Sequence, residues 1–386
     1  MSTLFEGLFN GLSIGSVLLI SALGLAIVFG LMGVINLAHG ELMMLGAYAT
    51  FVVQNIFKAF GSPWFDFYII VAIPVAFIIS AIVGLILERG AIRFLYGRPL
   101  ETLLATWGVS LILQQFVRSV SWLLFIALGI FSLLLFGGMK LVQNRADWSQ
   151  IKLKAIALLS ILAAGIAIAF YYLLNQNATL SKPWFSARNV DVTAPNWLRG
   201  GTAALGFQIP YVRLFIIVLT VLCLVGVYWF LQKSTWGLKI RAVTQNRTMS
   251  SCLGIPTDRV DALTFALGSG LAGIAGCAVS LLGSVGPNTG QNYIVDTFMV
   301  VVVGGVGNLL GTVLAALGIG ILNYLIGSGT LALFLTNFSA PQSAIDFLLF
   351  FATSSMAKVM VFALIITFLQ IKPAGLFPQK GRTAEL

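Results

Sequence analysis

The chain has 386 residues, 59% of them hydrophobic and 9% charged, with a formal net charge of +10. A soluble globular chain carries about 25% charged residues, so this composition excludes a water-soluble domain and makes a bilayer the solvent. The positive balance then reads as basic loops facing the cytoplasm, not as a nucleic-acid surface.

Apolar runs of about 20 residues recur along most of the chain, and each must satisfy its own backbone as helix. They predict spans at 12–32, 39–57, 67–87, 101–118, 120–136, 155–174, 212–231, 262–282, 294–309, 311–327 and 355–371. The expected fold class is an all-α polytopic membrane protein of about 10–11 transmembrane helices, a single transmembrane domain over 1–386. The first residues lack a basic stretch and a small-residue cleavage site, so no removable signal peptide is expected. Basic residues fall on alternate loops: Arg89, Arg93, Arg98; Lys140, Arg145, Lys152, Lys154; Lys233, Lys239, Arg241, Arg247, Arg259; and Lys372, Lys380, Arg382. Placing these fifteen of the 22 on the inside gives an N-out, C-in topology. Lys58, Arg118, Lys182, Arg188, Arg199 and Arg213 fall outside, and Lys358 fits neither set.

After the first span comes Gly33-Val-Ile-Asn-Leu-Ala-His-Gly-Glu, with Asn36, His39 and Glu41 near the membrane. Ionisable groups there are functional candidates by default. The blander reading has Glu41 favoured by a helix N-terminus, with Asn36 and His39 capping a turn at the inner surface. Farther on, Thr102, Thr106, Ser110 and Gln114 share one helix face at i, i+4 spacing. Such a stripe should avoid lipid, and either lines a path or bonds neighbouring helices. Its members are uncharged, which suits a small neutral polar solute.

The segment 175–211 holds Asn175-Gln-Asn-Ala-Thr and Pro195-Asn-Trp-Leu-Arg-Gly-Gly and reads as an ordered external loop. At 232–261 a basic, polar loop interrupts the lipid-built sequence. There Ala242, Met249 and Leu253 form an apolar stripe on one helix whose other face shows Gln245, Arg247 and Ser251. Gly254 can end it, Pro256 blocks continuation, and Asp258 can cap the next span. Such a helix either rests on lipid headgroups or docks a partner. The run Gly268-Ser-Gly-Leu-Ala-Gly-Ile-Ala-Gly predicts close helix packing. Gly304-Gly-Val-Gly-Asn-Leu-Leu-Gly, with Asn308, suggests a broken helix, and Gly305-Val-Gly-Asn-Leu faintly echoes Gly33-Val-Ile-Asn-Leu. An apolar stretch at 328–353, interrupted by Gly329, Pro341 and Asp346, reads as an outer lid. Cys223, Cys252 and Cys277 offer no disulfide framework and read as packing residues.

The sequence has no phosphate-binding Gly-x-x-x-x-Gly-Lys-Ser/Thr loop, a single histidine, and no metal-spaced cluster or activated nucleophile. A membrane enzyme is therefore disfavoured. A stand-alone channel or ion-coupled transporter would have only Glu41 and Asp296 as embedded carboxylates.

Three motifs together resemble the permeases of branched-chain amino-acid-type ATP-binding cassette (ABC) importers: Gly33-Val-Ile-Asn-Leu-Ala-His-Gly-Glu, Gly237–Gly254 followed by Asp258-Arg-Val-Asp, and Val302-Val-Gly-Gly-Val-Gly-Asn-Leu-Leu-Gly-Thr. The resemblance runs from about Gly7 to Lys372-Pro-Ala-Gly-Leu-Phe. Within that family it is closest to the urea-permease (UrtB) type, through Leu104-Ala-Thr-Trp-Gly-Val-Ser, Asn189-Val-Asp-Val, Arg241-Ala-Val-Thr-Gln-Asn-Arg and Gly286-Pro-Asn-Thr-Gly-Gln. The resemblance implies a plasma (inner) membrane importer of urea, or alternatively of branched-chain or other neutral amino acids. It implies a second related permease, two ATPase subunits that bind the ATP, and a soluble substrate-binding protein, with no cofactor on this chain. The loop holding Ala242, Gln245, Arg247, Met249, Leu253 and Gly254 would be the cytoplasmic coupling helix. The solute path would involve Asn36, Thr102, Thr106, Ser110, Gln114 and Asn308. Where that family runs almost directly from Gln114-Gln-Phe-Val-Arg118 to Phe185, this chain inserts residues 119–184, read as a peripheral transmembrane hairpin with a basic inner loop.

Overall fold

Helices follow the apolar runs and stop where Gly, Pro or a capping side chain intervenes. The structure, a computed structural model, describes residues 2–61, 64–142, 148–174, 182–185, 188–204, 207–336 and 342–377. Arg145, Lys380, Arg382, Pro341 and the turn at 175–179 lie outside the described residues. Helix α1 (Ser2–Met32) ends before Gly33, which takes a left-handed φ of +69°. Then come α2 (His39–Phe60), α3 (Tyr68–Gly90) and α4 (Pro99–Ser119), the last opening on proline, whose missing N–H costs nothing in a first turn. Helices α5 (Trp122–Val142) and α6 (Trp148–Leu174) follow.

Strands β1 (Gly201–Ala204) and β2 (Phe207–Pro210) pair antiparallel, with Gly201 opposite Pro210. The order continues with α7 (Tyr211–Lys233), α8 (Thr235–Gln245), α9 (Arg247–Cys252) and α10 (Thr257–Leu282). It closes with α11 (Thr289–Gly304), α12 (Leu309–Gly327), α13 (Thr330–Thr336), α14 (Gln342–Phe350) and α15 (Ser354–Ile371). Among the described residues nine helices are long and apolar enough to cross a membrane. Helix α11, at 16 residues, rises only about 24 Å, short of the ~30 Å hydrocarbon core.

Two compact units result, Ile112–Asn189 and the remainder. In the larger unit α1 and α10 form the axis, with 83% and 78% of their most apolar windows buried. Both carry small residues at the closest approaches, as a lipid-embedded bundle needs where no hydrophobic force drives helices together. A Cβ on Gly24 would strike the carbonyl of Gly268; one on Gly46 would strike the backbone of Gly273; one on Gly276 would strike Met43 O. The run at 268–276 is thus a packing face, as its spacing predicts. In the smaller unit α5 and α6 form a hairpin, with Gly138 seated under Leu159 and Trp184 packed on Trp122 and Phe125 at ring distances of 4.9 and 5.3 Å. Only 6% of the α5 window is buried, because within this unit α5 packs chiefly on α6.

Several expectations change. The span expected at 294–309 breaks at Gly304. Gly305 and Gly307 take φ of +98° and +85°, and Asn308 Oδ1 accepts the N–H groups of Leu310 and Gly311 at 3.1 and 3.2 Å to start α12. Residues 372–377 lace onto this break: Leu376 N–H donates to Val303 O at 2.8 Å and Phe377 N–H to Gly304 O at 3.4 Å. Asp258 does not cap α10; it lies in the first turn, where the helix dipole favours it. Cys252, expected to pack, is exposed. The stretch expected as a lid contains two short helices, α13 and α14. In the described part of the segment 175–211, Gln54 Nε2 and Tyr68 OH both donate to Thr193 O (3.0 and 2.9 Å). Asn196 N–H and Trp197 Nε1 bind Asp66, each at 2.8 Å. The β1–β2 pair was not foreseen, because four-residue strands are too short to show alternation.

Candidate solute path and coupling elements

A seam of buried polar groups runs where the turn at 33–38 meets α4. Asn36, 2% exposed, accepts the Ala38 N–H through Oδ1 at 3.1 Å and so shapes the turn into α2. Thr106 Oγ1 accepts the Leu37 N–H at 3.2 Å and lies 3.4 Å from Ile35 O. One turn on, Ser110 Oγ donates to Glu41 Oε1 at 3.1 Å. The structure therefore brings Asn36, Thr106 and Ser110 together and adds Glu41, 1% exposed, which the sequence reading leaned toward treating as a helix-end carboxylate. Glu41 does stand in the first turn of α2. Its burial in an apolar bundle is what singles it out, since an embedded carboxylate is costly without a task.

The other path candidates divide. Thr102 Oγ1 bonds the carbonyls of Leu95 and Arg98 at 3.0 and 2.9 Å, holding the start of α4. Gln114 is buried on the same helix but belongs to the smaller unit. Asn308 caps α12 and donates to Phe377 O at 3.4 Å, which leaves its side chain committed to the break. His39, expected at the inner surface, is fully buried with Nε2 on Ser21 O at 3.0 Å. The echo noted above has a geometric counterpart. Asn36 and Asn308 each bond the N–H two residues on at 3.1 Å, each after a glycine of positive φ. A Cβ on Gly30 would meet Gly307, so the two turns lie side by side.

The polar loop is two helices, not one. Asn246 leaves helical geometry after α8 and caps α9 by accepting the Met249 N–H at 2.9 Å. Ser234 caps α8 likewise, accepting from Gly237 N–H at 2.9 Å. The single amphipathic stripe expected from Ala242 through Leu253 is thus split at Asn246. Met249 and Leu253 still project, 63% and 81% exposed. Arg247, half-exposed, leans toward α10. Its Nη2 lies 2.7 Å from Asp261 Oδ2 and 3.8 Å from Asp258 Oδ1, and its guanidinium sits 5.1 Å from the Tyr96 ring centre. Tyr96 OH donates to Glu88 Oε1 at 2.9 Å. Burial, and then the charge of Glu88, push the Tyr96 phenol far above its ordinary range, so it stays a donor. Arg247 therefore ties α9 to the start of α10, to the α3–α4 connection and, through Tyr96, to the end of α3. Sequence reasoning missed this clamp because its members come from separate segments.

The family model described as the permease component of branched-chain amino acid transport systems matches residues 7–369. The chain is 27% identical over 319 residues to BraD of Pseudomonas aeruginosa, a high-affinity branched-chain amino acid transport system permease protein, covering 82% of this chain and 84% of that one. It is 24% identical over 373 residues to LivH of Escherichia coli, of the same description, covering 96% and 94%. A shorter likeness, 35% over 106 residues, links it to the ribose import permease protein RbsC of Haemophilus influenzae, covering 25% and 33%. No solved structure matches the chain.

Proposed function

The chain belongs to the family of permease components of branched-chain amino acid transport systems, and from that premise we propose that it is a membrane subunit of an ATP-driven importer for branched-chain or other neutral amino acids. It is a multi-pass inner-membrane protein. The observation that carries the importer reading is the α8–α9 pair. Met249 and Leu253 project from a polar loop whose own anchor, the half-exposed Arg247, is engaged by Asp261 and Asp258 of the same chain. An exposed apolar pair on a fixed frame fits a partner's groove. This chain has no nucleotide loop of its own, so energy would enter there from an ATPase subunit. In that reading the amino terminus is outside and α8–α9 face the cytoplasm. A second permease, two ATPase subunits that hold the ATP and a soluble binding protein complete the machine, and this subunit binds no cofactor.

The names of the relatives support an amino acid more than the urea that the sequence motifs suggested. Glu41 supports it as well, since a buried carboxylate in the seam offers a counter-charge to an ammonium group. Urea remains the second reading, carried by Leu104-Ala-Thr-Trp-Gly-Val-Ser and Gly286-Pro-Asn-Thr-Gly-Gln. Deleting this chain should abolish high-affinity uptake of radiolabelled leucine into cells and leave urea uptake intact. Loss of urea uptake alone would reverse the order of the two readings. Within the seam, Thr106→Leu and Ser110→Leu should each lower uptake about tenfold, the cost of one buried hydrogen bond left unmade. Leu104→Val, on the 64%-exposed face of the same helix, should leave uptake within about twofold. Equal losses in all three would reduce the seam to helix packing.

A further inference from the structure

A second polar site lies away from the seam, at a cavity of about 350 Å³ between α1, α11, α12 and the start of α15. Its charged side is an ion pair. Lys358 Nζ lies 2.8 Å from Asp296 Oδ2, donates to Asn292 O at 3.3 Å and sits 5.9 Å from the Tyr293 ring centre. Its other side is apolar and aromatic, with Ile14, Leu18 and Tyr324. The Asp296 side chain is 7% exposed and that of Lys358 38%. The pair comes from two elements far apart in the chain and serves no turn or cap. Of the two charges only the Asp296 carboxylate is withdrawn from water, and withdrawing it costs free energy that its attraction to the part-exposed Lys358 only partly returns, so such a pair is weak evidence for a stabilising role. A nearly buried carboxylate paired with a part-exposed lysine beside an open cavity is better explained by what the cavity receives.

We propose that this cavity binds a zwitterion with an apolar side chain, the ammonium group on Asp296 and the carboxylate on Lys358. The proposal rests on the amino acid reading above and gives it a second station. The exchange conserves charge. As the pair opens, each protein charge gains an opposite partner from the ligand, so neither is left unpaired in a poor solvent. The apolar side chain then lies against Ile14, Leu18 and Tyr324. An uncharged diamide such as urea could hydrogen-bond to either residue but brings no charge to replace the one each loses, so the pair should stay closed to it. A zwitterionic lipid headgroup presents the same two charges, which makes lipid the competing source.

The test uses the full chain in nanodiscs of phosphatidylglycerol, with radiolabelled leucine as probe. Leucine should bind, excess urea should not displace it, and Asp296→Asn and Lys358→Gln should each weaken binding more than tenfold. The exchange Asp296→Lys with Lys358→Asp keeps a pair; monodisperse elution of that variant and of the singles shows that lost binding is not lost folding. Undiminished binding in both single variants, or displacement by urea, would overturn the proposal. Loss of leucine binding when phosphatidylethanolamine replaces phosphatidylglycerol would assign the site to lipid and overturn its role toward solute. Leucine uptake retained by both variants in the whole importer would sink the site and spare the importer reading. An unaltered importer that takes up urea but no leucine would sink that reading itself.

Discussion

Replacing Arg247 with glutamate should disconnect ATP hydrolysis from uptake. The substitution puts a carboxylate against Asp258 and Asp261, and Asp261 is nearly buried, with a 6% exposed side chain. Leaving a buried, hydrogen-bonded charge without its partner costs about 2–5 kcal/mol, and the half-exposed guanidinium places this case toward the lower end. The cost falls on the joint that fixes α9 to α10 and to Tyr96, not on the helices that cross the bilayer. The protein should therefore insert and assemble, the ATPase subunits should still hydrolyse ATP, and uptake should fall more than tenfold. The paired exchange Arg247→Asp with Asp261→Arg should recover a large part of it. By contrast Met249→Asp, on the exposed side, should weaken co-purification of the ATPase subunits. Full transport by Arg247→Glu would show that the clamp is dispensable.

A leucine in place of Gly46 should prevent the folded protein from accumulating at all. There is no flexible neighbour to move: a Cβ at Gly46 meets the carbonyl, Cα and carbonyl carbon of Gly273, all backbone. Helices α2 and α10 would have to separate, and α10 also holds α1 and α3 in register through Gly268 and its neighbours. Overpacking in a core costs about 1–3 kcal/mol where side chains can adjust, and backbone contact removes that option. Fluorescence-detected size exclusion of a tagged chain gives the readout. Gly226→Leu, at an α7 glycine with nothing within 4 Å, is the control and should accumulate normally. A monodisperse Gly46→Leu peak of ordinary height would refute the close approach of α2 and α10.

Both effects depend on features that the sequence shows unequally. Helix ends were legible where glycine and proline mark them locally, as at Gly33 and Gly254, while the span read as 294–309 ran across a break that the glycines at 304–307 only suggested. The packing face at 268–276 was legible from small-residue spacing, and the α4 stripe from its i, i+4 hydroxyls. Pairings between distant segments were not. Lys358 and Asp296 stand 62 residues apart, and neither has a neighbour in sequence that announces the other. The same holds for Arg247 and Asp261, so Arg247 read as a residue for a partner when it is first an anchor for its own helix. Asn308 read as a path residue because asparagine in a membrane looks functional. Its oxygen is occupied in starting α12 and its amide in holding Phe377 O. The break at Asn246 was hidden by an apolar pattern continuing across it, and only the capping bond to Met249 reveals where α8 stops.

The lacing of residues 372–377 onto the α11–α12 break bears on the order of biosynthesis. The carbonyls of Val303 and Gly304 stand at a helix end, and the N–H groups that satisfy them belong to Leu376 and Phe377. A ribosome makes those two residues some seventy positions later. Until they emerge, the end of α11 must borrow partners from water, the translocation channel or lipid headgroups, each of which has to be surrendered afterwards. The nascent chain therefore closes this joint last, and the end of α11 gains these two bonds only after α15 has been made.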